Sequence, residues 1–249
     1  MTRFRLPIFA CVAVLAAAAP ATAGATILEL GSTTTPLAAP TCPSGTSASS
    51  CTIILTRVTA LETLRDGVAY PTTVTRAGYL FAFTLGLSRL SSSAATAKSD
   101  VHYLNSTYGG TTQAGITVLK PVGPKNQRRW SVVGRSAIYH LQPYLGEVVQ
   151  FPLTTPIAVK PGEVVALTVP TWAPVLTFGL AAKKFAYRQS RGTNCSTPSS
   201  ANNAQRNIGT TVPYVCNYPG TRVEYSATEV TSPVPPKNQI KAPLRLRKS

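Results

Sequence analysis

Acidic side chains are scarce in this sequence. The chain has 8 Asp and Glu residues against 24 Lys and Arg residues, which gives a formal net charge of +16 at pH 7. The ranges 101–146 and 164–223 contain no acidic residue at all. Such an excess of positive charge attracts anionic polymers such as teichoic acids, acidic polysaccharides or nucleic acid, and salt weakens the attraction. The alternative is that the basic residues only keep the surface soluble.

Catalytic motifs are missing as well. The sequence has no G-x-S-x-G elbow, phosphate-binding loop, dinucleotide fingerprint or calcium loop. It has two histidines, His102 and His140, and Asp100 precedes the first by two residues, so that on a strand both side chains would share a face. A metal site needs a third ligand, and we interpret the pair as a surface ion pair or hydrogen bond. We predict no catalytic residue, no cofactor and no metal site.

Two carboxylates, Glu62 and Asp66, have the chemistry of a glycosidase pair. Asp66 is better explained by an Asp-Gly turn with Gly67, and Glu62 by an exposed position in solvent. A Ser-His-Asp triad would leave no contiguous motif, because its members need not be adjacent in sequence. A secreted hydrolase with an unrecognised site is therefore the alternative to a non-enzymatic protein.

The first 23 residues have the features of a secretory signal peptide. Arg3 and Arg5 precede an apolar run at 6–19, and the small residues at 21–23 suit signal peptidase cleavage before Gly24. The apolar run is shorter than the ~20 residues of a membrane-spanning helix. We predict a secreted, extracellular protein without a transmembrane anchor.

Four cysteines follow the signal peptide: Cys42, Cys51, Cys195 and Cys216. An even number in an exported chain indicates disulfides, because they persist in an oxidising compartment. Four cysteines allow three pairings, and proximity favours Cys42–Cys51 and Cys195–Cys216. A metal site built from the four thiolates is disfavoured, since no C-x-x-C pair occurs and no histidine lies near either pair.

Alternating hydrophobicity predicts an all-β fold for residues 51–230. The clearest strand is 79–87, where five large side chains alternate with smaller ones and should share one buried face: Tyr79, Phe81, Phe83, Leu85 and Leu87. Other strands are expected at 26–30, 51–58, 115–121, 130–141, 148–151, 164–169, 175–180 and 223–230, and a loop at 91–100. Short strands at this spacing are typical of an antiparallel, jelly-roll-like β-sandwich, with an irregular barrel as the alternative. An irregular arm (24–50) precedes this domain, and a Pro-rich basic tail (231–249) follows it.

Strand-and-turn motifs are spread over residues 51–180. They are Cys51 at the entry to a strand, Asp-Gly-Val at 66–68 before an aromatic strand, Ile-Thr-Val-Leu-Lys-Pro-Val-Gly at 116–123, Trp-Ser-Val-Val-Gly-Arg-Ser at 130–136, and Phe-Pro-Leu-Thr-Thr-Pro-Ile-Ala-Val-Lys-Pro-Gly-Glu-Val-Val-Ala-Leu at 151–167. In these segments the chain resembles uncharacterised exported β-sandwich proteins of high-GC actinobacteria. The resemblance implies a sandwich fold and export, and it implies no substrate.

A long segment, residues 185–219, lacks convincing strand periodicity and is predicted to be an ordered loop held by the second disulfide. It carries residue types that stack on sugars or peptides and hydrogen-bond to them. The candidate ligand-binding residues are Tyr187, Arg188, Arg191, Asn202, Asn203, Arg206, Tyr214 and Tyr218. The alternative is that these groups satisfy the backbone of the loop itself. Trp130 and Trp172 are assigned to the core or to turn packing.

The combined features predict a secreted, non-enzymatic binding or envelope-associated protein, retained by an anionic cell-wall polymer or polysaccharide. Basic residues cluster in both acid-free ranges: Lys120, Lys125, Arg128, Arg129 and Arg135 in the first, and Lys183, Lys184, Arg188, Arg191 and Arg206 in the second. No nucleic-acid-binding motif accompanies this charge, so specific recognition of nucleic acid is not expected.

Overall fold

The computed structural model describes residues 24–42, 53–191, 195 and 204–232. Several predictions fall outside these residues: the signal peptide, residues 43–50 of the arm, the tail beyond residue 232, and the roles of Cys51, Asn202 and Asn203. No helix within the described residues is long and apolar enough to span a membrane.

The described residues are organised mainly as antiparallel strands. In chain order these are β1 (Ile27–Leu30), β2 (Leu55–Arg65), β3 (Val68–Ala69), β4 (Gly78–Gly86), β5 (Gln113–Val122), β6 (Arg129–Arg135), β7 (Tyr139–His140), β8 (Val148–Val159), β9 (Val164–Ala173), β10 (Leu176–Thr177), β11 (Ala186–Gln189), β12 (Thr211–Pro213), β13 (Asn217–Pro219), β14 (Arg222–Val223) and β15 (Tyr225–Thr231). One sheet has the order β1-β15-β4-β8. A larger sheet runs β12-β6-β5-β9-β2-β11-β13, with β3 added to β2 and β7 to β5, and β10 pairs with β14. The predicted all-β, antiparallel fold is confirmed.

One apolar core contains side chains from both large sheets. The four-stranded sheet contributes Leu80, Phe83 and Leu85, and the larger sheet contributes Ile116 and Leu167, all of them almost completely buried. Burying a side chain of this size stabilises a fold by roughly 1.5–3 kcal/mol. The two sheets therefore share a core, while the jelly-roll-like sandwich topology stays a prediction.

The side chains of β4 do not all face this core. Tyr79 and Phe81 are 49% and 43% exposed, whereas Leu80, Phe83 and Leu85 are buried. The pairing of β4 with β8 shifts register between Leu80 and Ala82. One inserted residue at such a bulge reverses which face the following side chains occupy. The prediction of a single buried face for 79–87 is therefore wrong in its first half.

The expected loop at 91–100 is also wrong, because helix α1 (Ala94–Tyr108) begins within it. The Ser93 hydroxyl accepts a hydrogen bond from Thr96 N (3.3 Å), and Gly109 ends the helix in the left-handed conformation at φ 82°. Leu104 is the single buried residue of α1. A helix without an apolar stripe leaves no periodic signal in the sequence.

Several other strands have limits that differ from the predicted ones. Strands β8 and β9 extend beyond 148–151 and 164–169, the range 130–141 is divided between β6 and β7, and 175–180 contracts to β10. Strand β9 lies between β5 and β2 in the sheet, so both of its edges are hydrogen-bonded. Hydrogen bonding on both edges stabilises the full length of β9, and the sequence of β9 alone does not show that it has two partner strands.

The segment 185–219 contains strands, contrary to the prediction. Strand β11 pairs with β2 on one side and with β13 on the other, and β12 extends the sheet beside β6. The partners in β2 lie about 125 residues earlier in the chain. Short strands with such distant partners depend on the completed sheet rather than on local alternation.

A second apolar cluster forms where residues of this segment pack on the larger sheet. Tyr214 lies against Leu61, Leu119 and Trp130, with Val212 at the margin. Below the same segment, Gln205 N donates to Thr59 Oγ1 (2.9 Å), and the Thr59 and Thr168 hydroxyls are 2.8 Å apart. These buried polar bonds fix the segment on the sheet.

A disulfide closes a loop within this segment. Cys195 is bonded to Cys216 across a separation of 21 residues, which confirms that predicted pair. Cys42 is also disulfide-bonded. Its predicted pairing with Cys51 lies outside the described residues.

Candidate binding site

The Asp66-Gly67 turn joins β2 to β3, as predicted. Both residues have positive φ, 51° and 84°, which is typical of a two-residue hairpin turn. The Asp66 carboxylate accepts hydrogen bonds from Thr33 Oγ1 (2.6 Å), Thr35 N (2.8 Å) and Thr35 Oγ1 (2.7 Å). Partial burial acts to raise the pKa of Asp66, but these hydrogen bonds outweigh it and hold the pKa well below the usual range. Asp66 thus fastens the arm to the hairpin.

Glu62 is buried, and the expectation of an exposed position is wrong. Its side chain is 0% exposed and lies 2.5 Å from Arg65 Nη2. Glu62 Oε1 accepts from Val223 N (3.1 Å), and Arg65 donates to the carbonyls of Val223 and Tyr225, each at 2.8 Å. This ion pair connects β2 to β14 and β15, and no substrate has access to it.

Half of the acidic residues are removed from the surface in this way. Four of the eight are buried: Glu62, Glu163, Glu224 and Glu229. Among the exposed ones, Glu29 is already engaged, since it accepts hydrogen bonds from Ser226 and Thr228. Most basic residues of the acid-free ranges therefore face solvent with few carboxylates among them.

The histidines do not form a catalytic group with the acids. Asp100 and His102 lie on α1, where residues two apart point about 200° away from each other, so the shared face expected on a strand does not exist. His102 is exposed, and His140 Nδ1 lies 3.2 Å from Thr111 Oγ1. Across the described residues, no three His, Cys, Asp or Glu side chains are grouped as a metal ion requires.

Most residues of the predicted ligand-binding set serve contacts within the protein. Tyr187 is 2% exposed and stacks on Tyr218, with ring centroids 4.9 Å apart. Tyr214 is fully buried and donates to Gln205 Oε1. Arg191 is buried and donates to the Tyr218 hydroxyl (3.2 Å). Their geometry favours the alternative, in which these side chains support the segment itself.

Among the described residues of the set, Arg188 and Arg206 are the arginines that are not buried. Arg206 is exposed beyond the second apolar cluster. Arg188, on β11, is half-buried and lines a pocket. The structure does not bring these two together with an exposed tyrosine of the predicted loop.

The pocket beside Arg188 has a volume of 340 Å³ and lies where the β2–β3 hairpin, the β5–β6 turn and the turn before β9 meet. Tyr70 and Trp130 form an aromatic wall, with ring centroids 6.1 Å apart and planes tilted by 39°. Lys125, Arg128, Arg129 and Arg188 are the charged residues of the lining, and no acidic residue is part of it. We call this feature the basic pocket.

Local backbone geometry presents these side chains. Between β5 and β6 the chain forms a short 3-10 turn at Lys125–Gln127, and Arg128 ends it in the left-handed region at φ 48°. Tyr70 also has a positive φ of 47°, which is uncommon for a bulky residue. Its backbone is held by a bond from Tyr70 N to Thr63 O (3.1 Å) and by the Thr73 hydroxyl, which donates to Tyr70 O (2.7 Å). The pocket is therefore preformed.

Two arginines, Arg128 and Arg188, line the basic pocket. Burial and the positive charge of Arg128 lower the pKa of Arg188, against a smaller opposite effect of Tyr70. Arg188 Nη1 is fixed by the carbonyls of Tyr214 (3.2 Å) and Val215 (2.7 Å). An oxyanion between the two arginines would relieve their repulsion.

A larger hollow of 540 Å³ lies beside Cys42 and Arg89. Half of its lining is serine, proline and alanine, and no aromatic residue is among the described residues that line it. The basic pocket is the better defined site.

Sequence reasoning identified Arg128 and Arg188 as members of basic clusters but did not connect them. It assigned Trp130 to the core or to turn packing, and Tyr70 gave no signal, because the two aromatic residues are 60 positions apart. The resemblance to exported actinobacterial proteins stays a prediction. Comparison with known proteins finds no protein-family model, curated protein or solved structure that matches this chain.

Proposed function

We propose that this chain is a secreted, non-enzymatic binding protein that its basic surface retains on anionic cell-surface polymers. The observation that carries the proposal is the burial of half of the carboxylates, while eight of the eleven cations of the acid-free ranges are exposed. On β5 and β6, for example, Lys120, Arg129 and Arg135 all face solvent. A surface of this kind raises the local concentration of a polyanion and accelerates its association.

Binding of purified protein to immobilised polymer tests the proposal. The supports are teichoic-acid-containing cell wall, an acidic polysaccharide and neutral dextran, each across a series from 50 to 500 mM salt. We expect binding to both acidic supports and little to dextran, with at least about a tenfold loss of affinity across the series. Equal binding to dextran, or binding to the acidic supports that salt does not change, would contradict the proposal.

Charge variants separate electrostatic retention from other contacts. The triple variant Lys120→Gln, Arg129→Gln and Arg135→Gln removes three exposed cations and should weaken retention. Its matched control, Lys120→Arg, Arg129→Lys and Arg135→Lys, keeps the charge and should bind like the wild type.

The basic tail is tested with a chain that ends at Ser232. Thr231 must be kept, because its backbone N donates to Thr26 O (2.9 Å) and fixes β1 to β15. If the tail contributes to retention, as its composition predicts, the shortened chain will elute from the acidic supports at lower salt. Elution at unchanged salt would assign retention to the folded domain alone.

A further inference from the structure

The basic pocket has the size of a site for a small unit rather than for a long stretch of polymer. Its 340 Å³ lies at the lower end of the range for small-molecule sites, about 300–1,000 Å³. Glycine, proline and valine backbone and side-chain atoms complete the lining around the aromatic wall. An occupant therefore contacts both apolar surface and cations.

The aromatic wall favours a saturated ring over a planar base. Tyr70 and Trp130 contact each other at 6.1 Å with a tilt of 39°, so they form one continuous wall and leave no slot between parallel rings. A nucleobase could therefore stack on one face of the wall only, with no second ring to enclose it. The C–H face of a sugar ring needs only one aromatic surface to pack on, and Tyr70, which is 38% exposed, provides most of it beside the largely buried Trp130.

The cations favour an oxyanion on that ring. Arg128 and Arg188 both belong to the pocket lining, which contains no carboxylate, and among the described residues no hydrogen bond uses Nη2 of Arg188. Guanidinium groups bind carboxylate and phosphate through paired N–H donors. Because Arg188 is already fixed at Nη1, little side-chain entropy is lost when a ligand binds.

We infer that the basic pocket is a subsite for a single sugar unit that carries a carboxylate or a phosphate group. The inference rests on the proposed function, since it names the repeating unit of the anionic polymer that the protein retains. Tyr70 and Trp130 hold the ring, and Arg128 with Arg188 holds the anion.

The first experiment uses three hexoses that differ in the group at C6: glucuronic acid with a carboxylate, glucose 6-phosphate with a phosphate, and glucose with a neutral hydroxyl. Tryptophan fluorescence reports binding, because Trp130 lines the pocket while Trp172 is completely buried, with Nε1 bonded to Asn105 Oδ1 (3.0 Å). Both acids should change the emission and bind at least about tenfold more tightly than glucose. If glucuronic acid binds more tightly, the polymer that supplies the sugar unit contains uronic acid; if glucose 6-phosphate binds more tightly, it is a sugar-phosphate polymer. Glucose binding as tightly as the acids, or no binding of either acid, would overturn the inference.

Variants locate the site. Arg128→Gln should weaken binding of the acids at least about tenfold, because a charged hydrogen bond is lost. Arg135→Gln carries the same charge change at the far end of β6, outside the pocket lining, and should have less than about a twofold effect. Tyr70→Ala should weaken all three sugars, and glycerol phosphate, which has no ring, should bind the wild type more weakly than glucose 6-phosphate. Equal losses for Arg128→Gln and Arg135→Gln would show that charge acts without a pocket.

Failure of this inference and failure of the proposed function give different results. Arg128→Gln removes one charge among many, so it should still bind the acidic polymers if general retention is correct. Retention of the polymers by the wild type without binding of either monosaccharide would reject the subsite alone. Binding of the monosaccharides without retention of the polymers would reject the proposed function and leave the subsite standing.

Discussion

Replacing Glu62 by glutamine should remove a large pH dependence of stability. Burial raises the pKa of Glu62 to about 7, even though Arg65, Arg222 and the Val223 N–H favour its charged form. In the unfolded chain the pKa returns to its ordinary 4.5. A group with a higher pKa in the folded state stabilises the fold fully below 4.5, and that contribution is lost as the pH rises through about 7.

The size of the effect follows from the two pKa values. Each unit of difference corresponds to about 1.36 kcal/mol, so the contribution of Glu62 to the free energy of unfolding should fall by about 3 kcal/mol between pH 4.5 and pH 8. The variant E62Q keeps the shape of the neutral side chain and does not titrate. From pH 4.5 to pH 8, the free energy of unfolding of E62Q should therefore rise by about 3 kcal/mol relative to that of the wild type.

Urea denaturation at pH 4.5, 6 and 8, followed by tryptophan fluorescence, measures this difference. Other titrating groups act equally on both proteins and cancel in the comparison, provided that the m-values agree. Glu147 is exposed, and E147Q is the matched control, which should run parallel to the wild type at every pH. A constant difference between E62Q and wild type across the three pH values would refute the reasoning, because Glu62 would then be ionised in the fold throughout.

Three further predictions concern stability. Replacing both Cys195 and Cys216 by alanine should lower the free energy of unfolding by about 3 kcal/mol, from the 21-residue separation that the bond spans; an unchanged urea midpoint would show that the bond does not constrain the unfolded chain. Gly67→Ala should cost about 1 kcal/mol, because Gly67 has a φ of 84°; a melting temperature equal to that of the wild type would contradict this. Tyr214→Phe should lower the free energy of unfolding by about 1–3 kcal/mol, because Gln205 Oε1 loses its buried donor. Scanning calorimetry measures this loss, and Tyr103→Phe is the control: Tyr103 is 62% exposed, so its replacement should leave the stability unchanged.

Features whose physical cause lies within a few residues were predictable from the sequence. The Asp66-Gly67 turn depends on two adjacent residues that tolerate positive φ, and the structure places the hairpin there. Strand β9 follows a continuous apolar run that is buried along nearly its whole length. The pairing of Cys195 with Cys216 follows from their proximity in the chain.

Features whose cause lies far along the chain were not predictable. The exposure of Tyr79 and Phe81 results from a bulge against β8, about 70 residues later. Glu62 is buried because β14 covers it, 161 residues away, and supplies the Val223 N–H. The basic pocket joins Tyr70 to Trp130 and Arg188, and no local pattern in the sequence links these three positions.

The burial of the carboxylates also means that folding itself separates the two signs of charge. In the unfolded chain, acids and bases are both hydrated and partly compensate one another along the sequence. In the folded chain, the interior holds four of the eight acids but, among the described residues, only three of the 24 bases: Arg65, Arg191 and Arg222. The proposed affinity for a polyanion would then depend on the fold as well as on the composition, and a denatured sample of the same protein should elute earlier from a cation exchanger than the folded one.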